Sequence, residues 1–500
     1  MLLSGPAGPQ ERTGIWVLAA TGGPLRKIQD DAYGAVASPD GSRIAFFRRS
    51  YTEIWMMSSA SEQPRRLAAA APGYEFGALA WSPDARHIAY LKRSRQDEQF
   101  AIESYDLITG QTTAVLSDRR LRHFCWARDG RIVFGRLESP PGETSSNLWE
   151  IRVDPRTAKP RNEARRLTNW GGFQFSYLGI SDDGRRLAFL RWHWQSDVYL
   201  AELENGGTRL SKPRRLTLDE RIDWPGGWTR DSKALLFYSD RNGELDIFKQ
   251  DVTARAAAAV APGPEEKREP RLSPDGAWIL YLAWAKGGDR ARQGRLMRVH
   301  ASGGAPQTVF GVKGYPGSAR ISPETRIVLS TGGHPRFRCP SVPGTACVLS
   351  EQDQRQLVFS AFDPAEGTKR EFTRIEVDPS TVAFWDLSPD GRWIAFGATD
   401  EQSGSIRVLS LAGRTIQDMS VKGWTHLESV AWSADGKGLF LTSFDSRGRR
   451  LLRASLTGET RLLYAARSHL TNPSPSPDGR HLAFGEVTPS SNAWVIENLR

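Results

Sequence analysis

Few side chains in this sequence stand at spacings that imply bond-making chemistry. There is no Gly-x-Ser-x-Gly nucleophile elbow, no Gly-x-x-x-x-Gly-Lys-Ser/Thr phosphate loop, no His-Glu-x-x-His and no kinase signature. The eight histidines are scattered and never paired at ligand spacing, so neither a metal site nor a cofactor is expected. Two aromatic–histidine clusters remain, Trp192-His193-Trp194 and Trp424-Thr425-His426. An indole beside an imidazole offers a stacking face with a polar edge, which suits a sugar or an aromatic ligand. The same residues would also serve as a hydrophobic plug between packed sheets. Arg336 and Arg338 are candidates for receiving an anion, set against their reading as solvated loop charges.

The three cysteines divide into two kinds. Cys125, between Phe124 and Trp126, reads as a small buried apolar residue. Cys339 and Cys347 enclose seven residues that include Pro340, Pro343 and Gly344. That is a poor zinc spacing and a plausible disulfide, worth about 2–3 kcal/mol to the loop and pointing to an oxidising compartment.

The elements that must position these residues follow from one phrase. Ser-Pro-Asp-Gly, or a worn copy of it, starts at Ser38, Ser82, Ala127, Ser181, Thr229, Ser273, Ser322, Ser388, Ser433 and Ser476. The intervals are 44, 45, 54, 48, 44, 49, 66, 45 and 43 residues, a period that marks a solenoid, propeller or array. Pro presets φ for a type I turn, Asp bonds nearby backbone, and Gly takes the left-handed position. Short β-rich runs surround each copy: one before it (Ala78–Trp81), one after it (Arg43–Phe46), a third containing an aromatic (Glu53–Met56, Asn147–Glu150), and a fourth reading Arg-Arg-Leu (Arg65–Leu67, Arg165–Leu167, Arg214–Leu216). Four-strand units of this length bury their faces only against one another, so the expected fold is an all-β propeller of ten repeats. Trp81, Trp126, Trp228 and Trp432, each just before a turn, are assigned to packing between blades. The Ala-rich stretch Ala254–Ala261 fits a loop or a slack fourth strand.

Five hundred residues suit two domains or one large ring. The last seven phrases, with Arg165-Arg166-Leu167-Thr168 completing the last blade against Asn492–Ile496, predict a seven-bladed ring over 164–500. Residues 154–163 read as its linker, and 1–163 as a partial second ring of about three and a half blades. The net charge of +10 is spread over the chain with no basic run, which fits solvated blade surfaces and gives no specific nucleic-acid site. No apolar stretch is long enough to span a membrane, and the first residues lack the pattern of a secretory signal.

The repeat Trp81-Ser82-Pro83-Asp84 with Ile88-Ala89-Tyr90, and the Arg-Arg-Leu-Thr fourth strand, resemble the TolB-like β-propeller repeat. The block Gly423–Ser433 and the ending Ser491–Asn498 resemble the extracytoplasmic propeller regions of bacterial winged-helix regulators and Ser/Thr kinases. The resemblance implies a periplasmic or extracytoplasmic, non-catalytic binding module for a protein or envelope polymer, the sensor or scaffold part of an envelope signalling protein. Two alternatives stand beside it: a free-standing TolB-like envelope scaffold, and a propeller hydrolase or lyase without a recognisable motif. A carboxylate pair facing the central funnel would favour the enzyme.

Overall fold

The computed structural model of the chain describes residues 2–5, 13–19, 21–59, 63–94, 99–138, 145–171, 174–219, 221–285, 293–314, 320–321, 327–328, 334–378, 381–399, 404–411, 416–445 and 448–499. Among these the protein is all-β, with one short 3-10 turn at Asn205–Gly207. The strands are arranged as antiparallel sheets of mostly four strands, the blade make-up expected of a β-propeller.

The repeated phrase makes the first hairpin of most sheets. At Ser38–Gly41, the Gly41 N–H donates to the Ser38 carbonyl at 2.8 Å, and Gly41 has φ +72. The Ser38 hydroxyl donates to Asp40 at 2.5 Å and accepts the Arg43 N–H at 2.9 Å. Asp40 also accepts the Ser42 N–H at 3.1 Å. The hydroxyl of Ser38 and the Ser42 groups together hold the Asp40 carboxyl down at about 2. The same hydroxyl–carboxylate pair recurs at Ser82–Asp84, Thr229–Asp231, Ser388–Asp390 and Ser476–Asp478. The phrase at Ser322 lies outside the described residues. In the sheet formed by Arg336–Arg338, Cys347–Asp353, Gln356–Phe362 and Lys369–Glu376, the turn between the first two strands is instead the loop closed by Cys339 and Cys347. Those sulfurs are bonded, with Cα atoms 4.2 Å apart. The loop is thus the turn between the first two strands of a sheet.

First strands share a second device. Each register shift at Tyr33/Val36, Gly77/Leu79, Ser176/Gly179, Arg268/Arg271 and Thr471/Ser474 is a β-bulge. A left-handed residue sits in each bulge: Gly34, Ala78, Tyr177, Glu269 and Asn472, with φ between +42 and +57. Four of the five are not glycine, a conformation held only where the surroundings over-determine it.

The chain divides into two compact units, Met1–His193 with Ser490–Arg500, and Trp194–Pro489. In the first unit, four-stranded sheets begin at Tyr33, Tyr74 and Leu121. It also contains the sheet of Leu2–Gly5, Gly14–Val17 and Arg26–Asp30, and a sheet in which 187–193 lies between Gln174–Ile180 and 490–496. The expected pairing of Arg165–Arg166 with Asn492–Ile496 is not made. Arg166 and Arg165 pair with Trp149 and Glu150 of their own sheet. The reason is local: Arg165 reaches Glu150 at 2.7 Å, and the Leu167 N–H donates to the Leu148 carbonyl at 2.8 Å. Nor is 154–163 a linker. It is a hairpin connection in which Arg161 N donates to Arg152 O at 2.8 Å and Val153 bridges Pro160. The first two strands of the Ser181 repeat therefore stand in the first unit, and the units divide at 193/194 and 489/490 rather than at 163/164.

In the second unit, four-stranded sheets begin at Asp223, Glu266, Arg336, Ala383 and Leu427. A further sheet combines His469–Pro475 and 481–489 with 194–204 and Arg214–Arg215, so that strands distant in sequence complete one blade. Ala258–Ala259, in the Ala-rich stretch, is a fourth strand against Phe248 and Lys249. Sheets stack through apolar faces, as where Val348, Leu357 and Phe359 meet Trp385, Ile394 and Phe396. The tryptophans before the turns add a bond between sheets. Trp228 Nε1 donates to Ser474 O at 2.9 Å and Trp432 Nε1 to Asp386 O at 3.3 Å.

Candidate functional site

First strands of the second unit end around a mouth of about 220 Å³. Its lining includes Arg271, Arg336, Arg338, Trp385, Asp386 and Trp432. The bulge at Arg268/Arg271 determines what lies beneath it, because it turns Glu269 out of the regular alternation. Glu269 is buried and faces two guanidinium groups, Arg336 at 3.3 Å and Arg338 at 3.0 Å. A third, Arg271, is at 3.8 Å. Arg338 reaches onward to Asp386 at 3.0 Å. Asp386 also accepts the Trp432 N–H at 2.8 Å, so one carboxylate ties three first strands together.

Three arginines thus share two carboxylates. Burial alone would raise the Glu269 carboxyl, but Arg336, Arg338 and Arg271 pull it down to about 2. Burial, with Arg338 beside it, draws Arg271 down to about 9, against the pull of Glu269 and Asp386. Both groups are charged at neutral pH. Among the described residues, Nε of Arg271 and Nε of Arg336 have no hydrogen-bond partner. A buried N–H without a partner is costly, and an anion placed here would supply a charge-assisted one.

A separate polar cluster in this unit joins Glu428, Arg449 and His469. Arg449 lies 3.3 Å from Glu428, and His469 Nδ1 lies 3.8 Å from its other oxygen. Burial raises Glu428 to about 7 and lowers His469 to about 3, so both are driven toward neutrality.

The residues singled out by sequence fall in different places. Arg336 and Arg338 belong to the mouth, and the expectation that they are solvated loop charges is corrected. They lie on a strand, their side chains 4% and 10% exposed, because Glu269 and Asp386 neutralise them there. Trp424 is half-buried against an apolar cluster, and its Nε1 donates to Thr460 Oγ1 at 3.1 Å. His426 packs on Phe444, ring centres 4.7 Å apart. Trp192, His193 and Trp194 lie on the strand Leu187–Glu204, their side chains outside the described residues. Sequence reasoning missed Glu269, Arg271 and Asp386. The signal was present for two of them: Glu266-Lys267-Arg268-Glu269-Pro270-Arg271 carries five charges, where no other described first strand carries more than two. Among the described residues no group of three or more His, Cys, Asp or Glu is placed to hold a metal ion. No described helix is long and apolar enough to cross a membrane.

No family model matches this chain. It is 28% identical over 133 residues to Uncharacterized protein Atu1656 of Agrobacterium fabrum, a match covering 26% of this chain and 42% of the relative. Among solved structures it is similar to a candidate TolB from Agrobacterium tumefaciens, with 16% identity over 59% of this chain and 99% of that one, TM-score 0.44. It is also similar to an oligogalacturonate lyase solved with manganese, with 13% identity over 76% of this chain and 86% of that one, TM-score 0.32. The expectation of a protein without enzymatic activity is overturned here: the solved structures similar to this chain include an enzyme, the oligogalacturonate lyase.

Proposed function

We propose that this protein is a TolB-like propeller of the cell envelope that takes an anionic partner, a protein segment or an envelope polymer, into the arginine-lined mouth of its second unit. In this reading it is the sensor or scaffold part of an envelope signalling assembly. The observation that carries it is the surplus of guanidinium groups over carboxylates, with donors of Arg271 and Arg336 left unpartnered beside a cavity. The Cys339–Cys347 bond supports an oxidising compartment. Titration calorimetry with an acidic peptide, an anionic polysaccharide and neutral analogues of each tests the site. Binding confined to the anionic probes and lost in Arg271→Gln supports it; equal binding of neutral probes, or an unaffected variant, overturns it.

A second reading, an enzyme working in the same mouth, is favoured by Glu269 and Asp386 meeting on Arg338. It predicts that a bound anionic polymer is cleaved and that Asp386→Asn keeps binding while losing turnover.

A further inference from the structure

The first unit repeats one arrangement of three residues, and in one sheet the third member is absent among the described residues. In the sheet of Tyr33–Ala69, Arg48 of the second strand lies over the ring of Trp55 on the third, 4.7 Å from its centre. Arg66 of the fourth strand is the cross-strand partner of Trp55. In the sheet of Leu121–Arg166, Arg136 lies over Trp149 at 4.7 Å, and Arg166 is its partner. In the sheet that includes Gln174–Ile180, Arg191 lies over Trp494 at 4.9 Å. Leu499 N–H donates to Arg185 O at 2.9 Å, which fixes 490–499 as the antiparallel third strand. No described strand pairs with the far edge of Asn492–Ile496.

The exposure agrees. Third strands Glu53–Ser58 and Ser146–Arg152 are mostly buried, whereas Ser491 to Val495 are all exposed, Trp494 by 45% and Val495 by 56%. Ser491–Ile496 contains no charge and no proline, the usual guards of an open edge.

We propose that Asn492–Ile496 is an acceptor edge for an extended segment of a partner protein patterned Arg-Arg-Leu-Thr, which adds as the fourth strand. The sheet of Trp149 shows what such a strand does. Aligned on the tryptophan, Asn492 takes the place of Asn147, which accepts Thr168 Oγ1 at 2.9 Å and Trp170 N at 2.6 Å. Ala493 takes the place of Leu148, whose carbonyl accepts the Leu167 N–H at 2.8 Å and whose N–H donates to Thr168 Oγ1 at 3.0 Å. Backbone bonds along the edge supply affinity, and the arginine opposite Trp494 with the threonine at Asn492 supplies selection. The site is in the first unit and does not depend on the reading of the arginine mouth.

The test uses the full chain and a fluorescein-labelled peptide of residues 163–170, Glu-Ala-Arg-Arg-Leu-Thr-Asn-Trp. Saturable anisotropy is expected for this peptide and not for its scrambled form. Ala493→Pro removes one outward donor without touching the other edge, and should weaken binding about tenfold, the size of one hydrogen bond. Val495→Lys, at an exposed position, should keep the melting temperature and also weaken binding, because Val495 takes the place of Glu150, the carboxylate that holds Arg165 at 2.7 Å. Hydrogen exchange of the 492–496 amides should slow on peptide addition. Equal binding of the scrambled peptide, no effect of either variant, unchanged exchange, or an edge already occupied by a second copy in sedimentation would each overturn the proposal.

Discussion

Two third strands of this protein are alike in sequence and differ in what covers them. Asp197–Leu200, in the second unit, is covered by Arg214–Arg215: Tyr199 faces Arg215, and the Arg215 guanidinium holds Asp197 at 2.6 Å. Asn492–Ile496, in the first unit, has the same polar–apolar–aromatic–apolar order and no described strand beyond it. The third strand is therefore ordered by the strand before it. The fourth strand contributes by closing an edge and by placing an arginine against an aromatic ring. That separates what a sheet needs in order to form from what it needs in order to be finished.

The harshest way to break the comparison is to cut the chain at 163/164. The fragment 1–163 loses Leu167, Phe175, Leu187 and Phe189, which form one cluster with Cys125, Val133 and Leu148. At about 25 cal/mol per Å², uncovering a few hundred Å² of this surface costs several kcal/mol, comparable to a domain's stability. We expect no cooperative monomeric transition for this fragment in calorimetry, and finding one would show that closed edges are not needed here.

Next in size is the buried charge cluster of the second unit. Glu269→Ala leaves Arg336 and Arg338 buried without their shared carboxylate and should cost about 3–5 kcal/mol in urea unfolding. Within the first unit, Trp149→Ala should cost about 2–3 kcal/mol, because that indole is half-buried between Arg136 and a covered edge. A loss below about 1 kcal/mol would mean that the fourth strand adds little packing.

Much of this fold was legible in the sequence. Ser38, Asp40 and Gly41 announce their turn because all the bonds involved are local. Trp228 and Trp432 announce their packing because each recurs at the same offset from a turn. What was not legible depends on long-range pairing. Arg165 had two possible third strands and takes the nearer, where Glu150 waits 2.7 Å away. The mouth was half-hidden: Arg336 and Arg338 stood out, but their burial depends on Glu269, 67 and 69 residues distant, which reaches them through a bulge that leaves no mark on residue type.

Glu428 gives a smaller and pH-dependent effect. Its carboxyl rises from 4.5 unfolded to about 7 in the fold, because burial outweighs Arg449. A raised acid contributes stability that is complete below its unfolded value and is lost as pH rises through the folded one. At about 1.36 kcal/mol per unit, the loss between pH 4 and pH 8 is at most about 3 kcal/mol. Glu428→Gln should remove that dependence, so the variant gains on the native protein as pH rises. Urea unfolding at about pH 5 and pH 8 measures it; a difference that does not change with pH would place a charged Glu428 in the folded protein.

The smallest effect is the sharpest. Trp494→Ala removes a residue of the same type, under the same kind of arginine, as Trp149→Ala. If the open edge is as uncovered as its 45% exposure implies, the indole packs on Arg191 alone. An exposed cation–π contact is worth about 0.5–1 kcal/mol, and part of it is regained when the freed guanidinium is hydrated. The substitution should therefore change stability by no more than about 0.5 kcal/mol, within the range of ordinary surface positions. In the presence of the 163–170 peptide the two backgrounds should part. The native protein is stabilised by binding while Trp494→Ala is stabilised less, since a ligand adds stability only in proportion to its affinity for the folded state. A loss of 2 kcal/mol or more without peptide would mean that Trp494 is already covered, and would remove the distinction between the two third strands.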